Sequence, residues 1–425
     1  MRFFHIISRV RRTQLKNINK ARYITARQKI TRHDKAEFMD WCMNGVRSKK
    51  NFVPLSDRYY EHKSGDPKII AYYLPQFYEF EQNNKWFGRG FTEWTNVTKQ
   101  TPQYTGHIHP RLPIDVGFYN LDTTAIMKRQ IDLARQYGVY GFCYYYYWFH
   151  GKRIMEKPLF NMLADKSIDM PFMLFYANEN WSNTWGEECE NKDCYDADIV
   201  DGDAEKFVDD ILPFLTDSRY IKNEAGQPML IIYKHKQPRI KEFITDIKRL
   251  ISEKIGVAPY IILFNNDWGG SNRKTFSPGK FNADGAGEFN FHMQTKAKNI
   301  KPENWPKIMN KNAKYKMFFD THKFISDRKY MYDTDYVLYR GCMQGFDNSC
   351  RKAFTTGAWV GEITPDDYYK WLRDIVDWTR KYGAPEKIVF VSAWNEWAET
   401  MYLEPDNYYG YAYLDKTRRA IEETR

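Results

Sequence analysis

"KIVFVSAWNEWAETMYLEP", residues 387–405, is the stretch on which the fold turns. Its first part is a near-continuous apolar run, the pattern of a strand covered on both faces rather than one that alternates. Its second part sets Glu396 and Glu399 three residues apart among Trp394, Asn395 and Trp397. A capped helix start would account for that spacing. So would a pair of carboxyls working as acid and base on a glycosidic bond. The other strand ends of the chain separate the two readings.

Seven further runs of the same kind precede it: "KIIAYYLPQF" (68–77), "YGFCYYYYWF" (140–149), "PFMLFYANEN" (171–180), "QPMLIIYKHK" (227–236), "PYIILFNNDW" (259–268), "DGAGEFNFH" (284–292) and "YRGCMQGFDN" (339–348). Helix punctuation lies between them. Asp122 is placed to cap a helix with Ile126, Ile131, Ala134 and Tyr137 inward and Gly138 as its stop. Pro238 opens one with Ile240, Ile244, Ile247 and Ile251 at helical spacing, and Thr364–Pro365 opens another that Gly383 ends. Strand and helix in alternation predict a parallel α/β sheet, and eight strands predict one closed (β/α)₈ TIM barrel, with an open doubly wound sheet as the alternative. The expected division is a basic extension and linker over residues 1–66 and the barrel over 67–425, with long insertions at 78–120 and 293–338 that shape a cleft at the catalytic end.

In a closed barrel the ends of parallel strands meet on one face. That gathers Glu93 and Trp94 after strand one, Lys152 and Arg153 after strand two, and Glu179, Asn180 and Trp181 after strand three. Trp268 follows strand five, Glu288 strand six, and Asp347, Asn348 and Arg351 strand seven; Asn395 and Trp397 flank the two glutamates of strand eight. A single glutamate after a strand is more often a cap or an ion-pair partner than a catalyst. The repetition at nearly every strand end is harder to explain by packing. Carboxylates and amides bond sugar hydroxyls while indoles stack on their C–H faces, so the set is read as substrate-binding around a catalytic pair, Glu396 and Glu399. Two carboxyls held close also separate their pKa values and leave one protonated near neutrality. Lys152–Arg153 would meet an anionic group on the substrate; a charged turn with solvated stems is the plainer reading of that pair.

Composition agrees. Aromatic residues make up 17% of the 425, with 32 Tyr, 28 Phe and 13 Trp, more than a core requires. The formal net charge is +10, and residues 1–33 alone carry seven Arg and three Lys with no Asp or Glu, so the rest of the chain is neutral and no nucleic-acid partner is expected. The basic segment reads as a solvated tail, an organellar presequence or a peripheral contact with anionic lipid. The apolar run from Phe3 to Ile7 is too short for a secretory core, and no stretch approaches a transmembrane span. The six cysteines form no CxxC pair and no histidine cluster has metal-ligand spacing. Cys189 and Cys194 would bridge in an oxidising compartment, whereas reduced thiols and a cytoplasmic location are the default. Without a GxSxG elbow, a Walker A loop or a GxGxxG fingerprint, no cofactor and no metal are expected.

At "YYLPQFYEFEQNNKWFGRGFTEWTNV", "YYYYWFHGKRIMEKPL", "YANENWSNTW", "GEFNFH", "GFDNSCR" and "AWNEWAETMYLEPDNYYGYAYLDKTRRAI" the chain resembles the WbsX-type domain of bacterial polysaccharide gene clusters, related to glycoside hydrolase family 99, over about residues 68–425. The resemblance implies a (β/α)₈ barrel acting on α-linked glycans by a metal-independent, retaining, two-glutamate mechanism. It implies that Glu396 deprotonates the neighbouring 2-hydroxyl, which attacks the anomeric carbon to give an epoxide, and that Glu399 serves as general acid and then as base toward water. The chain departs from the pattern twice. The E-N-W-T-R-x-W-D-G usual after strand three is here Glu179 to Glu187 without its arginine, and the glycine usual after the second glutamate is Thr400. WbsX-type domains also carry a glycosyltransferase label in lipopolysaccharide, O-antigen and capsule biosynthesis. The expected function is thus a glycosidase on cell-surface polysaccharide or oligosaccharide, with a glycosyltransferase or transglycosylase and a non-catalytic glycan-binding scaffold as alternatives.

Overall fold

The computed structural model describes residues 30–44, 47–48, 50–183, 194–265, 276–288 and 299–425. Eight parallel strands make the central sheet: β1 (Lys68–Tyr73), β2 (Val139–Phe149), β3 (Phe172–Tyr176), β4 (Met229–Ile232), β5 (Tyr260–Phe264), β6 (Gly285–Gly287), β7 in two pieces (Leu338–Tyr339 and Gly341–Met343) and β8 (Ile388–Ser392). Neighbours in sequence are neighbours in space, and β1 pairs with both β2 and β8. The first piece of β7 pairs with β6 (Tyr339 opposite Gly287) and the second with β8 (Gly341 opposite Phe390). Only Arg340 separates the pieces, so the two ends of the sheet are one segment and the barrel closes.

Alternation explains the tyrosine run of β2, since successive side chains point to opposite faces. Tyr145 points inward, where Tyr72 of β1 packs within 5.4–6.2 Å (ring centroids) of Tyr145, Phe175, Phe264 and Phe390. Tyr146 and Trp148 point outward against Phe207 of the helix Asp203–Leu215. The barrel interior is therefore filled with rings contributed by β1, β2, β3, β5 and β8.

The helix layer follows the expected punctuation with one shift. Thr364 caps Pro365–Tyr382 by accepting from the Asp367 N–H, and Ile240–Ile255 buries Ile240, Ile244, Ile247 and Ile251. The helix assigned to an Asp122 cap instead runs Ala125–Gln136, and Asp122 pairs with Lys157 at 2.9 Å. Arg340, 1% exposed at the break in β7, sends its guanidinium out into this layer, over Trp378 at 4.2 Å, and donates to the carbonyls of Tyr330 and Tyr332. A second, small sheet holds Tyr315–Phe318, Ala358–Glu362 and Gly345–Asp347 and continues directly from β7. Before the barrel, the helix Arg32–Asn44 is pinned to it by Trp41, whose Nε1 donates to the His107 carbonyl, and by the Asp34–Lys307 pair. Among the described residues no helix is long and apolar enough to cross a membrane.

Candidate active site

Beyond β8 the chain folds neither as a strand nor as an α-helix. Trp394 N–H donates to the Tyr72 carbonyl at 2.7 Å, and the Asn395 amide grips both the N–H and the carbonyl of Leu74, at 2.7 and 3.0 Å. An asparagine side chain thus extends the β1–β8 ladder by one step beyond the backbone. Asn395–Glu396 then pairs with Met401–Tyr402 as a tight hairpin around a 3₁₀ turn, Trp397–Glu399. Glu396 enters this turn as its N-cap residue and Glu399 ends it, which leaves the two carboxyls close enough for the charge of one to act on the other. The Glu396 side chain caps nothing. Thr400 closes the turn at φ 60°, the left-handed region that glycine favours, and it is the position at which the resemblance leads one to expect glycine.

Arg351 enters from the short helix Ser349–Lys352 and bridges two carboxylates. Its Nη1 lies 2.7 Å from Glu399 Oε1 and its Nη2 3.0 Å from Glu93 Oε1. Glu93 opens the helix Glu93–Thr98, is 0% exposed, and accepts on the same oxygen from Asn96 Nδ2 at 2.9 Å. The electrostatics of the pair follow from this placement. Burial pushes the carboxyl of Glu396 well above the ordinary range; the charge of Glu399 adds to the shift and Arg351 opposes it. Burial raises Glu399 as well, with Arg351 the strongest opposing influence. Glu399, held by the guanidinium, ionises first, and its charge keeps the proton on Glu396.

Beneath the pair lie Tyr145 and Tyr147 of β2. Burial and the charge of Glu396 both push their phenols up, and Glu179 acts on Tyr147 too. Glu179 follows β3 with Lys234 at 3.9 Å, its carboxyl raised by its surroundings, lowered by Lys234 and raised again by Glu399. The carboxyls that follow β1, β3 and β8 are therefore gathered within electrostatic reach of one another, with Arg351 and Lys234 among them. Trp94 and Trp397 sit at 5.7 Å, and Trp397 stacks on Tyr402 at 3.8 Å.

A family model described as "Glycosyltransferase WbsX" matches residues 69–417. The chain belongs to the WbsX family. Curated relatives include two proteins, each named "Uncharacterized protein WxcX", from Xanthomonas campestris pv. campestris strains B100 and ATCC 33913. Each is 34% identical over 361 residues, which is 83% of this chain and 49% of theirs, so the chain spans about half the length of these relatives. Among solved structures, a "Glycoside hydrolase-like protein" superposes with a TM-score of 0.52 at 12% identity, covering 88% of this chain and 98% of the other; it shares the fold. A GH99 endo-alpha-mannosidase from Bacteroides thetaiotaomicron gives 0.45 at 12% identity, covering 84% and 97%.

The remaining expected residues of this WbsX domain divide by place. Trp181 stands at the rim with Trp86 at 4.6 Å and Phe80 at 5.9 Å, an aromatic wall beside Tyr147. Asn180 accepts from the Ala197 N–H. Lys152 and Arg153 are exposed on a short strand folded back on β2. Lys152 donates to Tyr195 Oη at 2.8 Å, while Arg153 lies over Phe160 and 3.9 Å from Asp210. Glu288 is buried at the end of β6 and accepts from the Gly341 N–H across the break in β7; its Oε1 has no hydrogen-bond partner among the described residues. Asn348 accepts from the Trp359 N–H. Asp347 turns under the small sheet, 3.0 Å from His107 Nε2 and 3.6 Å from His109 Nε2. Trp185, Trp268 and Cys189 lie outside the described residues.

His107, His109 and Asp347 bring their ligand atoms within 4.8 Å of one another, a grouping invisible in sequence because 240 residues separate His107 from Asp347. It does not fit a metal. The Gln103 N–H donates to His107 Nδ1 at 3.0 Å, so the neutral ring carries its proton on Nε2, the atom that faces Asp347. Burial drops His107 to about 4, which keeps it neutral. Sequence reasoning also missed Glu404, which lies in the opening stretch itself, and the inward tyrosines of β2, for which the period-two alternation was the available signal.

Proposed function

We propose that this protein cleaves α-linked cell-surface oligosaccharide or polysaccharide with retention of configuration, using Glu396 and Glu399 as its two carboxyls and without a metal. The observation that carries the reading is the asymmetry of the pair: Glu399 lies 2.7 Å from a buried guanidinium that favours its charge, while burial and the charge of Glu399 push Glu396 well above the ordinary range. Glycosidic cleavage needs one protonated and one ionised carboxyl. The family and the partly exposed indoles of Trp181 and Trp86 support a sugar as the occupant.

The resemblance makes Glu396 the base toward the 2-hydroxyl and Glu399 the acid. Arg351 instead favours the charge on Glu399 and leaves Glu396 the more strongly raised of the two, which favours the exchanged roles, or else a proton moves between the carboxyls once substrate binds. Gln substitution at each position, assayed on an activated glycoside and on an ordinary glycan, separates the two. Loss of the acid is spared by a good leaving group; loss of the base is not. If Glu396→Gln is the spared variant, Glu396 is the acid. The family's name favours transfer, in which a glycan hydroxyl takes the place of water at the same site. An activated glycoside incubated with surface oligosaccharide as acceptor, with product anomers read by NMR, distinguishes hydrolysis from transfer. Tight binding without turnover that survives both Gln variants would leave a glycan-binding scaffold.

A further inference from the structure

Glu404 is 1% exposed and ends the stretch that carries the glutamate pair. Four donors from three parts of the fold converge on its carboxylate. Oε1 accepts from Trp394 Nε1 at 3.1 Å and from Gln130 Nε2 of the helix Ala125–Gln136 at 2.7 Å. Oε2 accepts from Trp397 Nε1 at 2.6 Å and from the Tyr119 hydroxyl at 3.0 Å. The two indoles come from either side of Asn395–Glu396. The Tyr119 oxygen in turn accepts from Asn395 Nδ2 at 3.1 Å, and Asn395 is locked on Leu74 of the neighbouring strand end. Three of the four links from Glu404 therefore end on the residues that frame Glu396 and Glu399, and the fourth, Gln130, ties it to the helix and, through Gln130 Oε1, to the Tyr73 hydroxyl.

We propose that Glu404 is a positioning residue for the catalytic turn, acting through Trp394, Trp397 and, by way of Tyr119, Asn395 to hold Glu396 and Glu399 toward the cleft. Three of its four partners can only donate: the two indole N–H groups and, in this orientation, the Gln130 amide. The clamp accordingly requires an ionised carboxylate. A proton on Glu404 finds one acceptor, the Tyr119 oxygen, and only if that hydroxyl gives up its own bond to Glu404. Burial opposes ionisation and the four donors favour it, and the balance sits at about 7. The titratable groups facing Glu404 are the phenols of Tyr119 and of Tyr73 on β1, and no cation is among its hydrogen-bond partners. The clamp then tightens as pH rises through neutrality and slackens below it.

This inference rests on the reading of Glu396 and Glu399 as the reacting pair, and its test has one arm that needs no turnover. Indole N–H signals of ¹⁵N-tryptophan protein should shift for Trp394 and Trp397 with a common midpoint near 7. Trp305, whose Nε1 donates to the Ile300 carbonyl in a separate apolar cluster, is the flat internal control. In Glu404→Gln, which turns an acceptor into a donor, both shifts should vanish. The second arm is kinetic. Glu404→Gln should lose on the order of 10²-fold in kcat with little change in KM, as a misplaced catalytic group does, and Glu404→Asp should recover part of the loss and move the pH profile. Flat Trp394 and Trp397 signals in the parent, or a Glu404→Gln protein that melts earlier yet turns over normally once folded, would overturn the proposal. A titrating indole pair in a protein that cleaves no glycan would instead count against the function assigned to the pair, leaving the clamp itself standing.

Discussion

Glu93 shows how one buried residue sets the chemistry of two others. It is the fully buried partner of Arg351, and its charge raises the proton affinity of both Glu396 and Glu399. Glu93→Gln keeps the shape and the bond to Arg351 while removing that charge, so both carboxyls should ionise at lower pH. The acid limb of the kcat/KM profile should move down the pH scale, and a limb that stays in place would show that the profile reports another group. Arg351→Lys keeps a charge but loses the fork that spans two carboxylates. Arg351 opposes the upward shift of both glutamates, so its variant should move the same limb upward. Thr400 gives a stability test. A left-handed conformation costs a non-glycine residue roughly 1–2 kcal/mol, against about 0.5–1 kcal/mol of extra chain entropy for glycine. Thr400→Gly should thus raise stability by up to about 1 kcal/mol in thermal unfolding, less the weak 3.3 Å bond from its hydroxyl to the Asp347 carbonyl. A clear loss would mean that the hydroxyl matters more than the backbone. The glutamates of the turn were legible because they interrupt an apolar run between indoles. The partner of Arg351 was not, because 258 residues separate it from Glu93 and no local pattern links them.

At the scale of elements, strands were legible where they carry side chains that sequence rules count. Met229–Ile232, Tyr260–Phe264 and Ile388–Ser392 are runs of branched and aromatic residues that the structure buries almost throughout. β6 is Gly-Ala-Gly within the run 284–292 read from the sequence, of which 289–292 lie outside the described residues, and its glycines answer to the rings around them. A Cβ built on Gly287 would lie 2.0 Å from Phe264 Cε1, and one on Gly285 would lie 3.0 Å from Tyr260 Oη. The large rings of β5 and β7 take the space that a side chain on β6 would need. Gly287→Ala should therefore destabilise the barrel by about 1–3 kcal/mol through overpacking, read as a lower midpoint in denaturant with an unchanged slope. A neutral result would mean that Phe264 turns aside without cost. β7 was read as one strand over 339–348; it breaks at Arg340 and again before Gly345, where φ is 153° and the chain leaves the barrel for the small sheet. Nothing local announces those breaks. They arise because the segment must pair with β6, then β8, then Ala358–Glu362 in turn.

Over the whole molecule, closure turns scattered strand ends into one site, and charge divides the chain in a different way. The barrel gathers its carboxyls at one mouth and is neutral in sum beyond residue 33, whereas the cationic excess is confined to residues 1–33. Nine of those ten cations precede residue 30, ahead of the helix Arg32–Asn44 that Trp41 and Asp34 fasten to the barrel. A basic segment near an anionic leaflet gains about 1 kcal/mol per Lys or Arg, and the gain fades within a Debye length of roughly 8 Å at physiological salt. Removing residues 1–29 should abolish binding to vesicles containing phosphatidylserine while leaving the melting temperature and glycan turnover as they were, because the fastening contacts of the helix remain. The binding of the full chain should weaken steeply as salt rises from 0.05 to 0.5 M, roughly as screening requires. Vesicle binding that survives the deletion would move the membrane contact onto the neutral barrel, where exposed apolar side chains such as Phe118 and Phe354 would have to supply it. Binding lost together with turnover would instead make the segment part of the path by which a surface glycan reaches Glu396 and Glu399.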